Sequence, residues 1–422
     1  MIKPNLLALS FIAAATVVAS PFSRAADWPQ WRGPERNGVS QEAGLLGQWP
    51  ADGPKLAWRI DDIDYGYGTP AVAGQRLYIT SNKGMDDEFV RAYSTADGSQ
   101  LWSTRIGKVG NPNQQPPFAA ARSTPTVDGN QLYVLGSDGD LACVEATNGK
   151  IIWTKNVRTD FGGKPGTWAY SESPLVDGDV LVCSPGGADA TMVALNKKTG
   201  DVIWKCPVPD ADDAGYASAI IVNAAGHKQY VQFLSKGVVG VDAATGKFLW
   251  RYDDTGKTPA NSPTPVAHDN LVYTAKGRFG GALVALKPSD DGGVTAEQVY
   301  MERGLPYSMG GSVLINGYLY GTTNDGLVCA DFAKGTIKWT EKSVGNGSIC
   351  SAGGRLYVHT DANDMVLVDP SPDEYREKGR FALPNQPERT RGQMEKAWSY
   401  PAVAGGRLYI RDLGTIWCYD VK

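Results

Sequence analysis

The chain has 422 residues, 42% hydrophobic and 20% charged, a balance that supports a packed core and excludes intrinsic disorder. Its net charge of −4 excludes a protein that grips nucleic acid through a basic stripe. With 50 glycines and 26 prolines, it suits many short strands joined by tight turns better than it suits helices.

The first element in chain order is a targeting segment. Lys3 supplies a positive charge, Leu6 to Val18 is an apolar run, and Ser23-Arg24-Ala25 places small residues where a signal peptidase reads. Residues 1–26 are therefore expected to be a signal peptide, cleaved after Ala25 or Ala26, with the protein exported to the periplasm or beyond. The first cysteine is Cys143, so no lipid anchor is expected near the cleavage site. No later stretch reads as a membrane span.

From there to the end, one pattern recurs. Glycine, three residues, then tryptophan occurs at Gly98–Trp102, Gly149–Trp153, Gly200–Trp204, Gly246–Trp250 and Gly335–Trp339. A polar residue stands four positions before each glycine: Ser94, Glu145, Asn196, Asp242 and Asp331. The clearest copy, VGVDAATGKFLW at 239–250, reads as a hairpin whose glycine makes the turn and whose tryptophan closes the second strand. A second phrase precedes each hairpin: GTPAVAGQRLYI at 68–79, STPTVDGNQLYV at 123–134, ESPLVDGDVLVC at 172–183 and YPAVAGGRLYIR at 400–411. It adds two more strands, giving four per repeat of roughly 40–50 residues, the size of a propeller blade.

Fourth strands end at Trp58, Trp102, Trp153, Trp204, Trp250, Tyr300, Trp339 and Phe381. Trp58 lacks a phrase before it, and the copy at Tyr400–Arg411 lacks a fourth strand after it. The two deficits complement each other, so the strand around Trp58 is expected to complete the last blade and leave no open sheet edge. The expected fold is all-β: a single domain over 27–422, an eight-bladed β-propeller of four-stranded antiparallel blades closed by the N-terminal strand. Seven blades is the alternative if a weak copy is miscounted.

These residues resemble the pyrroloquinoline-quinone (PQQ) repeat of quinoprotein dehydrogenases, a blade also used by the propeller lipoprotein of the outer-membrane β-barrel assembly machinery. DWPQWRGPERNGVS at 27–40 is similar to the leader of bacterial PQQ-like propellers. The resemblance implies that each fourth-strand tryptophan docks between blades. It also implies either a binding scaffold or a PQQ- and calcium-dependent dehydrogenase acting on an alcohol or sugar.

Cys143, Cys329 and Cys418 share a repeat position that other blades fill with Ala92, Ala194, Gly240 and Ala285, so they read as small buried packing residues. Cys183, Cys206 and Cys350 are less constrained. Adjacent cysteines, as in methanol-dehydrogenase-like quinoproteins, and the C-x-x-C-H haem motif are both missing. His227, His268 and His359 fall in three different blades, which weakens a zinc cluster or histidine triad. Gly256-Lys257-Thr258 lacks the earlier glycine of a phosphate loop. The acidic run Pro209–Asp213 reads as a solvated turn, with calcium ligation as the alternative.

The long connectors Lys108–Arg122, Thr159–Tyr170 and Ala382–Trp398 lead into first strands, where propellers bind ligands at the channel mouth. There the sequence places Tyr67, Arg122, Trp168, Tyr170, Glu172, Tyr216, Tyr307 and Trp398. An anionic planar quinone would use Trp168 or Trp398 with Arg122, and Glu172 would serve as the acid. The simpler alternative is that the aromatics pack the loops. The favoured expectation is a monomeric, non-catalytic module holding a protein or small ligand of the cell envelope.

Overall fold

The computed structural model describes residues 26–114, 120–210, 212–256, 258, 260–386 and 399–422. The expected signal segment 1–26 lies, apart from Ala26, outside the described residues. Eight antiparallel sheets follow one another around a ring. In blade 1 the strands are Ala71–Ala73, Arg76–Lys83, Asp87–Ser94 and Gln100–Lys108. Blades 2 to 7 span residues 126–156, 175–206, 220–252, 266–303, 312–341 and 347–382. Blade 8 takes three strands from 402–420 and its outer strand, Lys55–Ile60, from the N-terminal side, as the complementary deficits predict. Eight blades is the count, not seven. Among the described residues, no helix is long and apolar enough to cross a membrane.

The glycine–tryptophan phrase is the third-to-fourth-strand hairpin. The glycine N–H closes its turn on the polar residue four before it, as in Gly149 N to Glu145 O at 2.8 Å. At φ 75° Gly149 occupies a region that costs other residues strain, and a Cβ there would lie 2.5 Å from the Trp102 ring. The missing side chain therefore makes both the turn and a flat seat for the preceding blade's tryptophan. Seven of the eight fourth strands carry a one-residue bulge beside their aromatic residue, such as the shift between Ile151 and Trp153, whereas in blade 7 the bulge falls beside Gly379. The bulge turns the indole toward the next blade.

There it donates to a turn carbonyl of that blade. Trp58 Nε1 reaches Thr95 O at 2.8 Å, Trp102 reaches Ala146 O at 3.2 Å, and Trp153 reaches Lys197 O at 3.0 Å. Trp204, Trp339 and the Tyr300 hydroxyl repeat the contact. Trp250 departs from the rule, bonding Gln229 within its own blade at 2.5 Å. Blade 5 replaces the short glycine turn with the longer hairpin 288–294, so the usual acceptor is not offered there. The core lies between blades: Tyr78, Val90 and Ala92 of blade 1 pack against Leu132, Val134 and Val144 of blade 2. All six cysteines are buried free thiols in this packing, with no bridge between Cys183 and Cys206.

The leader is the part that fixes the channel. Trp28 pairs antiparallel with Val72 on the first strand of blade 1, and Val39–Ser40 pairs parallel with the first strand of blade 7. Residues 28–40 thus run up the channel and back down, turning with Arg32 and Arg36 near the level where first strands begin. Along this path the leader meets all eight blades: Val72, Val127, Ser173, Ala219, Thr264, Ser312, Ser351 and Gly405 each accept or donate a hydrogen bond. Arg36 gives Nε to Ala219 O at 2.8 Å, Nη1 to Pro174 O at 3.2 Å and Nη2 to Ser173 O at 2.9 Å. Burial lowers its guanidinium to about 9. Glu42 closes the lower end by accepting from Gly405 and Gly406. The chain then leaves past Trp49, whose ring packs on Tyr357 and Phe381, to start the outer strand of blade 8.

Candidate site at the channel mouth

Connectors reach the mouth in a fixed geometry. Pro70, Pro125, Pro174, Pro265 and Pro401 each stand immediately before a first strand, holding φ and pushing the preceding residue into an extended conformation. Second-strand side chains then fasten the neighbouring connector. Thr80 Oγ1 donates to Ser123 O at 2.6 Å, Tyr273 OH to Pro306 O at 2.6 Å, and Thr322 Oγ1 to Gly347 O at 2.7 Å. Arg411, fully buried, joins blade 8 to blade 1 through Gly68 O and Thr80 O.

On this frame four of the expected residues form one continuous run. The Arg122 guanidinium lies 5.8 Å from the Tyr67 ring centroid and donates to Trp168 O at 2.8 Å. Trp168 donates its backbone N–H to the Tyr216 hydroxyl at 3.2 Å, and their rings meet at 5.7 Å and 54°. Burial lowers the Arg122 guanidinium and raises the Tyr216 phenol, so the phenol keeps its proton at neutral pH. Beside Tyr216 lies a cavity of about 410 Å3, bordered by Pro165, Thr167 and Asn261.

The other four divide. Tyr307 stands apart, between blades 5 and 6, its hydroxyl accepting from Asn324 N at 3.1 Å. It borders a groove of about 860 Å3 with Asp254, Lys276, Phe279 and Met309. Tyr170, expected at the mouth, is only 2% exposed and donates to Pro185 O at 2.9 Å from within the core between blades 2 and 3. Glu172, also expected there, is 4% exposed and accepts from Ser184 N and from Gln232 Nε2. Burial raises its carboxyl to about 7, although Arg36 pulls the other way. Both are fastening residues, because the connector folds back under its own tip. Trp398 lies outside the described residues.

The quinone and calcium implied by the PQQ resemblance can be tested against this set. Glu172 has both oxygens engaged by the frame, and Trp168 packs on Tyr216 instead of presenting an open slot. Arg122 is already held by two connector carbonyls. Among the described residues, no three His, Cys, Asp or Glu side chains gather as metal ligands. These residues do not fit the group.

Sequence reasoning missed Glu88, Arg411 and the groove at Phe279. Glu88 accepts from the Ser137 N–H and hydroxyl, at 2.6 and 2.7 Å, and burial raises it to about 7. Glu88 in DEFVRAYS and Arg411 in RLYIRD each stand among other charged residues of the same strand, so charge alone did not single them out.

The family profile described as outer membrane protein assembly factor BamB matches residues 86–341, more than half of the chain. A tetrathionate hydrolase of Acidithiobacillus ferrooxidans is 24% identical, over 52% of this chain and 47% of its own. The dehydrogenase subunit of a quinone alcohol dehydrogenase from Gluconacetobacter polyoxogenes is 26% identical, over 56% of this chain and 33% of its own. The chain thus spans half or less of these curated relatives. The crystal structure of BamB from Moraxella catarrhalis superposes with a TM-score of 0.58 at 15% identity, covering 90% of this chain and 98% of that one. At that identity the likeness is one of fold.

Proposed function

The chain belongs to the PQQ-repeat family whose profile is that of the assembly factor BamB, and on that premise we propose that it is an exported, non-catalytic propeller. Its mouth face would hold a partner protein in the cell envelope. The observation that carries this reading is the one-sided channel. The leader enters from the turn end and fills the channel up to the level where first strands begin, its arginines buried there, whereas the connector face keeps two cavities bordered by aromatics and polar side chains. Rigid scaffolds carry binding residues on just such fastened connectors. Fold alone does not decide between scaffold and enzyme, since one fold hosts many functions.

The test places a photo-crosslinking amino acid at Tyr216, at Tyr307 and, as the opposite-face control, at Asn130 in cells. Discrete protein adducts from the two mouth positions, and none from Asn130, are expected. In parallel, the purified protein is titrated with PQQ and calcium and assayed for dye reduction with alcohols and aldoses. Saturable binding with turnover, abolished by Arg122→Ala, would replace the scaffold reading with the dehydrogenase.

A further inference from the structure

We propose that the groove across blades 5 and 6 docks an acidic peptide segment carrying an aromatic side chain, contributed by a partner protein. This deepens the mouth-face reading above and rests on it. The short turn Gly277–Phe279, between the second and third strands of blade 5, lifts Arg278 and Phe279 to the surface. Phe279 is 52% exposed, an unusual position for a large apolar ring on a fastened frame.

Its ring is held in place by cations. The Arg303 guanidinium sits 4.4 Å from the centroid and Lys276 Nζ 5.8 Å from it. Lys276 otherwise touches the Met301 sulfur at 3.4 Å. No carboxylate among the described residues pairs with Lys276, Arg278 or Arg303. Two cations against an exposed ring and Arg278 next to it in the chain, none paired with a carboxylate among the described residues, make a local excess in a chain of net charge −4. Across the groove Met309, 37% exposed, offers a second apolar contact, and its thioether suits an aromatic edge. The volume of about 860 Å3 is within the range of specific ligand pockets.

The far wall decides which anion fits. Asp253, held by Arg251 at 2.7 Å, and exposed Asp254 line the blade-4 side of the same groove. A continuous polyanion such as a nucleic acid or sulfated glycan would lie against both walls and be repelled by one of them. A peptide can alternate. Its carboxylates meet Lys276 and Arg278, its ring enters between Phe279 and Met309, and a neutral or basic residue faces Asp254. The exposed Asn324 amide lies within the groove to bond peptide backbone.

The full exported chain is titrated with a fluorescein-labelled random copolymer of glutamate and tyrosine, followed by anisotropy. Polyglutamate, a lysine–tyrosine copolymer and heparin are the comparison probes. The glutamate–tyrosine copolymer should bind about tenfold more tightly than polyglutamate, the scale of one anchoring side chain. Phe279→Ala and Arg278→Glu should each weaken it about tenfold or more, and Asp254→Lys should tighten it. Thermal melts establish that each variant is folded, and Met309→Ala and Lys276→Glu replace any that is not. Equal binding of heparin or polyglutamate, indifference to these substitutions, or no binding at all overturns the proposal. If crosslinks from Tyr216 and Tyr307 persist in that case, only the peptide site falls; if they too are absent, the mouth-face reading falls with it.

Discussion

The channel interior and the mouth surface are built from the same blades and have opposite characters. Inside the channel, from the turn end up to the level where first strands begin, the leader hydrogen-bonds every blade through its own amides and through Trp31, Arg32, Arg36 and Glu42, the two arginines 1% and 3% exposed. At the mouth, connectors are fastened at their bases, and the second-to-third-strand turn of blade 5 leaves Phe279 turned outward. The difference teaches that closure and binding are handled by separate pieces of chain. A propeller whose channel is sealed from one side has its variable surface on the other.

The hardest way to break this comparison is to remove the seal. Arg36→Met removes the guanidinium and leaves the buried carbonyls of Ser173 and Ala219 without the Arg36 donor, while Pro174 O keeps the Thr126 hydroxyl. Such a loss costs about 3–5 kcal/mol, read as a fall in the denaturant midpoint at unchanged slope. A variant as stable as the parent would show the leader to be a passenger in the channel. Slightly smaller is the effect at the ring's closure. Trp58→Ala removes an indole that is 8% exposed, together with its bond to Thr95 O, and should cost about 3 kcal/mol. Because this contact joins the blade completed by the N-terminal strand to blade 1, the unfolding curve checks the closure itself.

These elements differ in how legible they were. The repeat count and the closure at Trp58 followed from spacing, because each blade needs the same turn, whereas the docking of tryptophans followed from the resemblance to the PQQ repeat. The plug did not. DWPQWRGPERNGVS has no strand alternation, and its function depends on contacts with residues such as Ala219 and Ser351, far away in sequence. The mouth was half legible. Arg122, Trp168 and Tyr216 do come together, but Tyr170 and Glu172 turn inward, since connector sequence does not say which side chain folds under its own loop. Phe279 was hidden in a short second-to-third-strand turn that the repeat pattern treats as a spacer.

A smaller effect distinguishes the frame from the surface by pH. Glu172 has its folded carboxyl raised from 4.5 to about 7 by burial, and Glu88 is raised likewise. A raised acid binds its proton more tightly in the folded state, so its contribution falls as pH climbs from about 4.5 to about 7 and is flat above that. The full span is on the order of 2–3 kcal/mol per group. Glu172→Gln should therefore flatten the stability profile between pH 5 and pH 7, measured by melts across that range. A parent whose stability rises over the interval would contradict the assignment.

The smallest effect is the sharpest contrast. Arg278→Glu changes a side chain that is exposed and joined to no carboxylate, so it should move stability by no more than about 0.5 kcal/mol. The same change reverses charge at the lip of the groove and should weaken the glutamate–tyrosine copolymer strongly. Arg36→Met should show the reverse ratio, with a large loss of stability and, in whatever fraction remains folded, binding close to that of the parent. The two arginines thus separate the channel seal from the mouth surface in one pair of measurements. If instead both substitutions moved stability and binding in proportion, seal and mouth would be one cooperative unit, and binding at the face would depend on how firmly the leader is seated.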